Sequence, residues 1–192
     1  MTFTVPNLLS VLRMGLVPLF IIAVMNGEST KALLIFVAAG VTDCLDGLIA
    51  RFWPSQQSPL GGYLDAIADK LLLTSAYVVL SIPNLAHGAP IPLWVTIVVI
   101  ARDVLLVTVA LVLYLTKGVR RFPPTLLSKW NTFFQIVAVG LVLLAGTLPG
   151  AHWLQQIATV VLYLVGITTL ASGIDYIVRV SRLEATKAKG SS

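Results

Sequence analysis

Six apolar runs divide the chain, at Leu8 to Met25, Lys31 to Ile49, Gly61 to Ile82, Pro92 to Leu115, Leu126 to Leu148 and Trp153 to Val180. Each is near the length of about 20 residues that a helix needs to cross the hydrocarbon core of a bilayer. None alternates apolar and polar residues as a porin strand does. Backbone N–H and C=O groups in hydrocarbon must be satisfied within the segment itself, so runs of this kind fold as helices. With 57% hydrophobic and 11% charged residues and a mean hydropathy of +0.93, the chain reads as an all-α membrane protein. About six transmembrane helices in one bundle leave no room for a separate soluble domain. No basic residue precedes the first run and no small-residue cleavage site follows it, so it reads as a span, not a signal peptide. The lone Cys44 reads as a space filler beside Asp43.

The placement of Lys and Arg orients the bundle. "NGEST", "PNLAHGAP" and "LPGAHW" hold no Lys or Arg, whereas the alternate connections and the tail hold Arg51, Lys117, Arg120, Arg121, Lys129, Arg179, Arg182, Lys187 and Lys189. By the positive-inside tendency both termini and the basic loops are cytoplasmic. The net charge of +5 then belongs to a rim that meets anionic membrane lipids; no nucleic-acid partner is implied. Residues 1–182 form the transmembrane domain on this reading, and 183–192 a disordered cytoplasmic tail.

The acidic residues are the anomaly. Of eight, the six Asp (Asp43, Asp46, Asp65, Asp69, Asp103 and Asp175) lie in or at the edge of apolar runs, and only Glu28 and Glu184 look like ordinary surface charges. A carboxylate at membrane depth costs about 2.5–3.5 kcal/mol even on lenient insertion scales, which makes it a functional hypothesis by default. At the helical repeat, Asp43, Asp46, Gly47, Ala50 and Arg51 fall within about 140° of arc on the second helix, while Gly61, Asp65 and Asp69 form a stripe on the third. The two helices, joined through "FWPSQQSPL", can therefore present four carboxylates to one another. In this segment only Arg51 and Lys70 are basic, too few to balance four acids, and divalent metal ions meet the need. Oxygen-only ligation by Asp suits Mg²⁺ or Mn²⁺. Two such ions clamp phosphoryl oxygens in displacements at phosphorus. A helix cap or a simple ion pair accounts for one such Asp but not for four; a cation transporter and a membrane prenyltransferase are the functional rivals.

Written out, the segment is Asp43-x-x-Asp46-Gly47-x-x-Ala50-Arg51, nine residues, then Gly61-x-x-x-Asp65-x-x-x-Asp69. It resembles the signature of the CDP-alcohol phosphatidyltransferases, with every fixed position filled and nine intervening residues where the family usually has eight. "VPNLLSVLRMGLVPLF", "IARDVLL" and "LSKWNTFFQIV" extend the resemblance to the branch that makes glycerol-based phospholipids. The resemblance implies attack of an acceptor hydroxyl on CDP-diacylglycerol with release of CMP. Asp43, Asp46, Asp65 and Asp69 would hold two Mg²⁺ or Mn²⁺ ions, and Asp69 would also be the catalytic base. Gly47, Ala50, Arg51, Ser58, Gly61 and Asn7 would contact the donor, with Arg13 also near the nucleotide. Arg102, Arg120, Arg121 and Lys129 are the candidates for the acceptor's phosphate, although Arg102 beside Asp103 equally reads as an intramembrane pair. "ARDV" and "SKWNT" look closer to the CMP-forming cardiolipin synthases, whose acceptor is phosphatidylglycerol; glycerol 3-phosphate, the acceptor of phosphatidylglycerophosphate synthases, is the alternative. A homodimer in a bacterial inner membrane, with a cytoplasm-facing site, completes what the resemblance and the charge pattern imply.

Overall fold

The computed structural model describes the backbone of residues 5–52, 59–85, 90–117, 126–148 and 150–189, and the side chains of 8–45, 67–85, 90–109, 115, 127–148 and 150–178. Among these residues the chain is six helices and no strand: α1 (Val5–Met25), α2 (Ser29–Phe52), α3 (Pro59–Leu80), α4 (Leu93–Lys117), α5 (Leu126–Thr147) and α6 (His152–Lys189). Each apolar run read from the sequence corresponds to one helix. α6 continues as helix through Lys189, across the stretch from residue 183 that the sequence had set apart as a tail. Three helices are long and apolar enough within their described residues to cross a membrane: α1 over Leu8–Met25, α5 over Leu127–Thr147 and α6 over His152–Val178.

The packing is that of a membrane bundle. Large apolar side chains such as Leu8, Leu19, Val160, Ile167 and Ile174 point outward, while Ala32, Ala39, Ala76, Ala138 and Ala158 are wholly buried. Lipid tails are as apolar as leucine, so helix association relies on close backbone approach at small residues and on interhelical polar contacts. Gly166 illustrates the first: a Cβ there would come within 2.5 Å of the Trp94 ring, which also lies 5.6 Å from the ring of Tyr163. These contacts seat α4 against α6. The turn from α1 to α2 closes at Gly27, φ 75°, with Glu28 N–H donating to Ala23 O and Gly27 N–H to Val24 O, the Schellman arrangement that favours glycine.

α1 packs on α2 and α3, α5 on α2 and α6, and α4 on α6. Polar side chains fasten both groups. In the first, Arg13 of α1 is fully buried and its Nη1 lies 3.0 Å from Asp43 Oδ1 of α2 and 2.6 Å from Asp69 Oδ1 of α3. In the second, Asn131 Oδ1 of α5 accepts from the hydroxyls of Thr168 and Thr169 on α6, at 3.0 and 2.9 Å. Tyr77 joins the groups by donating its hydroxyl to Gln135 O at 3.3 Å.

Removing Arg13 leaves two facing carboxylates without their shared cation, at a cost below the ~3–5 kcal/mol of a fully buried pair because both carboxylates are partly exposed. Arg13→Met is therefore expected to lower the thermal unfolding temperature of the purified protein in chelator-containing detergent buffer, and adding Asp43→Asn to Arg13→Met to recover part of the loss. An Arg13→Met protein as stable as wild type in that buffer contradicts the account of Arg13 as the fastening of α1.

Candidate active site

The Asp-rich face of α2 and the stripe on α3 meet at Arg13. Asp43 and Asp69 approach the same guanidinium nitrogen from opposite helices, so the facing expected from helical spacing holds for this pair. The guanidinium is sealed from solvent whereas both carboxylates are about two-fifths exposed. Their outer sides are thus reachable by a ligand. The two acids also line a cavity of about 780 Å³ bounded by α2, α3, α4 and α5. Phe36, Ala39, Ile67, Leu71, Leu72, Leu73, Val107 and Ile136 make most of its wall, and Asp43, Asp69 and Lys70 are its charged members.

The charge balance differs from the expectation that only Arg51 and Lys70 are at hand. Lys70 turns to α4, where Nζ donates to Asp103 Oδ2 at 2.6 Å. The cation that meets Asp43 and Asp69 comes from α1, 56 residues before Asp69. Sequence proximity was the wrong guide because helix packing, not chain separation, decides which charges are neighbours. The signal that finds Arg13 is its isolation: it is the sole basic residue in the first apolar run, and such a charge needs a partner inside the bundle.

Arg102 is buried and sits beyond the cavity wall. Its Nη1 donates to Asp103 Oδ1 at 2.8 Å, and its Nη2 to the hydroxyls of Ser128 and Ser172 at 2.6 and 3.1 Å. The intramembrane pair anticipated as one reading of Arg102 is formed, with α5 and α6 each adding a hydroxyl. Lys129 is exposed in the first turn of α5. Cys44, expected to fill space, is exposed as well. Ser58, Arg120 and Arg121 lie outside the described residues, as do the side chains of Asn7, Asp46, Gly47, Ala50, Arg51, Gly61 and Asp65, whose backbones are helical. Ser128, Ser172 and Asn131 were missed by sequence reasoning, since nothing in the local pattern separates a buried interhelical Ser or Asn from an ordinary one.

Among the described residues no three His, Cys, Asp or Glu side chains come together as a metal set. Asp43 and Asp69 themselves fit a hard divalent cation: they are oxygen donors only, partly open, and set on facing helices. What the arrangement offers chemically is a carboxylate pair at the edge of an apolar cavity, a place where a charged headgroup and a hydrocarbon chain are accommodated together.

The sequence model of the CDP-alcohol phosphatidyltransferases matches residues 3–172. A probable CMP-forming cardiolipin synthase of Drosophila melanogaster is 36% identical over 190 residues, covering 91% of this chain and 56% of its own length. A CMP-forming cardiolipin synthase of Streptomyces coelicolor is 35% identical over 195 residues, covering 94% of this chain and 84% of its own. A probable phosphatidylglycerophosphate synthase of Mycobacterium tuberculosis is 35% identical over 182 residues, covering 92% and 81%. The chain spans about 56–60% of the length of the animal relatives it matches. The family match extends over both Asp-bearing helices and the cavity they border, and the chain belongs to the CDP-alcohol phosphatidyltransferase family.

Proposed function

We propose that the protein transfers the phosphatidyl group of CDP-diacylglycerol to the hydroxyl of phosphatidylglycerol, releasing CMP and forming cardiolipin. The observation that carries this reading is the cavity in which Asp43 and Asp69 adjoin a long apolar wall. A carboxylate pair alone would serve a soluble phosphate ester as well. An apolar cavity between the helices suits substrates that bring acyl chains to the reacting phosphorus, since each buried CH₂ contributes about 0.8 kcal/mol. Glycerol 3-phosphate as acceptor is the second reading, favoured by the similarity to the mycobacterial protein.

The acceptor oxygen forms a bond to the diacylglycerol-side phosphorus as the bond from that phosphorus to the CMP oxygen breaks. The acceptor's proton passes to Asp69, whose carboxylate is partly exposed at the cavity edge and so within reach of a bound hydroxyl. Arg13 orients the Asp69 carboxylate through the 2.6 Å contact of its Nη1 with Oδ1. Asp43, Asp46, Asp65 and Asp69 would hold two Mg²⁺ or Mn²⁺ ions, whose positive charge would offset the negative charge of the diphosphate. Gly47, Ala50, Arg51, Ser58, Gly61 and Asn7 would contact the donor, and Lys129, Arg120 and Arg121 the acceptor headgroup. In this reading residues 1–182 form a six-span bundle and 183–192 a cytoplasmic tail, in a homodimer of a bacterial inner membrane. The Lys and Arg distribution supports a cytoplasmic placement of both termini and the site.

The purified protein is expected to release CMP from CDP-diacylglycerol only with Mg²⁺ or Mn²⁺ present, and full turnover in excess chelator speaks against the metal requirement. An Asp-based cation transporter would instead move ions across vesicles and release no CMP with any alcohol. Asp69→Asn is expected to keep CDP-diacylglycerol binding within a few-fold and to lose at least a hundredfold in turnover, the scale of general-base catalysis. Near wild-type turnover of Asp69→Asn assigns the base elsewhere. Mass analysis of the lipid formed with phosphatidylglycerol or with glycerol 3-phosphate separates the two acceptors: cardiolipin supports the first, phosphatidylglycerophosphate alone the second.

A further inference from the structure

Lys70 is the charged cavity residue to which the reaction as described gives no work. Its ammonium donates to Asp103 Oδ2 at 2.6 Å while its side chain stays 42% exposed, and it lines the same cavity as Asp43 and Asp69. Asp103 is mostly buried and its other oxygen is taken by Arg102 at 2.8 Å. Among the described residues one carboxylate is thus shared between two cations, and one positive charge is left over. Arg102 cannot offer that charge to a ligand, because its side chain is 4% exposed and both terminal nitrogens are engaged by Asp103, Ser128 and Ser172. The ammonium of Lys70 has three protons, of which Asp103 takes one. The surplus positive charge of the cluster therefore faces the cavity at Lys70.

Because the Lys70 side chain is 42% exposed, its unshared protons are open to an anion that enters the cavity. The acids within the cavity do not take them: Asp43 and Asp69 turn to Arg13, and Lys70 turns the other way, to α4. The cavity consequently has an acidic side and a basic side on consecutive residues of α3. We propose that Lys70, held by Asp103 and backed by Arg102, binds the phosphate of a glycerophosphate acceptor. A glycerophosphate presents a hydroxyl and a phosphate separated by the glycerol carbons, so a hydroxyl directed at Asp69 leaves the phosphate to the neighbouring Lys70. Arg102 acts through Asp103 as a positioning residue and does not itself touch the acceptor. This assignment rests on the transferase reading above. It applies equally to a free glycerophosphate and to the headgroup of a lipid.

The test measures CMP release by wild type, Lys70→Met and Lys70→Arg in detergent micelles. One arm varies glycerol 3-phosphate, the other phosphatidylglycerol, and the donor is varied separately. A hydrogen-bonded charge of this kind is worth about tenfold or more in binding. Lys70→Met is expected to raise the acceptor KM about tenfold in the arm that supports turnover, to leave the donor KM within twofold, and Lys70→Arg to restore most of the difference. An unchanged acceptor KM, an equal rise in both constants, or no rescue by Arg overturns the assignment. The same acceptor is expected to protect Lys70 of the wild-type protein from acetylation by an amine-reactive reagent, read by peptide mass analysis. This measurement needs neither turnover nor a variant that folds, and equal labelling with and without acceptor overturns the proposal. Absence of CMP release by wild type in both arms counts against the transferase reading instead, and the protection result then still decides whether Lys70 binds a glycerophosphate.

Discussion

The contact on which the first half of the molecule depends is a single guanidinium placed where no water can reach it. Arg13 is fully enclosed by α1, α2 and α3, and the carboxylates of Asp43 and Asp69 converge on its Nη1. An isolated ion at that depth is prohibitive, and so are two carboxylates at close range. Together they are tolerable, and only when the three helices take one relative register. The ion triplet therefore specifies an arrangement that interchangeable Leu, Val and Ile side chains at the same interfaces leave loosely determined. It also orients both carboxylates toward one point while leaving each partly exposed.

A second polar cluster plays the corresponding part on the other side of the cavity. Lys70, Asp103 and Arg102 run from α3 into α4, and Ser128 and Ser172 tie the far end to α5 and α6. Between the two clusters lies the apolar cavity, floored by α2 and α3 and walled by α4 and α5. The same two clusters that lock helices together set opposite charges at its edge. In the proposed reading fold stability and substrate recognition draw on the same residues, consistent with ionisable side chains in membrane proteins being too costly to retain for packing alone.

Much of this was legible in the linear chain, and the reasons are specific. The lengths of the apolar runs give the helices because hydrocarbon permits no other backbone solution for such runs. The Asp spacing on residues 43 to 69 places carboxylates on facing stripes because the helical repeat is fixed, and it carries enough specified positions to resemble one family. Arg13 shows the opposite case. Its role depends on a distance of 2.6 Å across 56 residues of chain, and nothing in the neighbourhood of "SVLRMG" states what lies across the interface. Arg102 had two readings of equal standing, and burial with full engagement of its terminal nitrogens settled where it sits.

The sequence by itself determined that the chain is helical and that Asp residues of its second and third helices share facing stripes, because those properties follow from composition and from the local periodicity of a helix. Tertiary structure alone decided which cation neutralises which acid, that Lys70 answers to Asp103 and not to its neighbour Asp69, and that the space beside the carboxylates is an apolar cavity. Charges separated widely along the chain interact through space, with an energy set by distance and by the medium between them. Both quantities come into existence only when the helices pack.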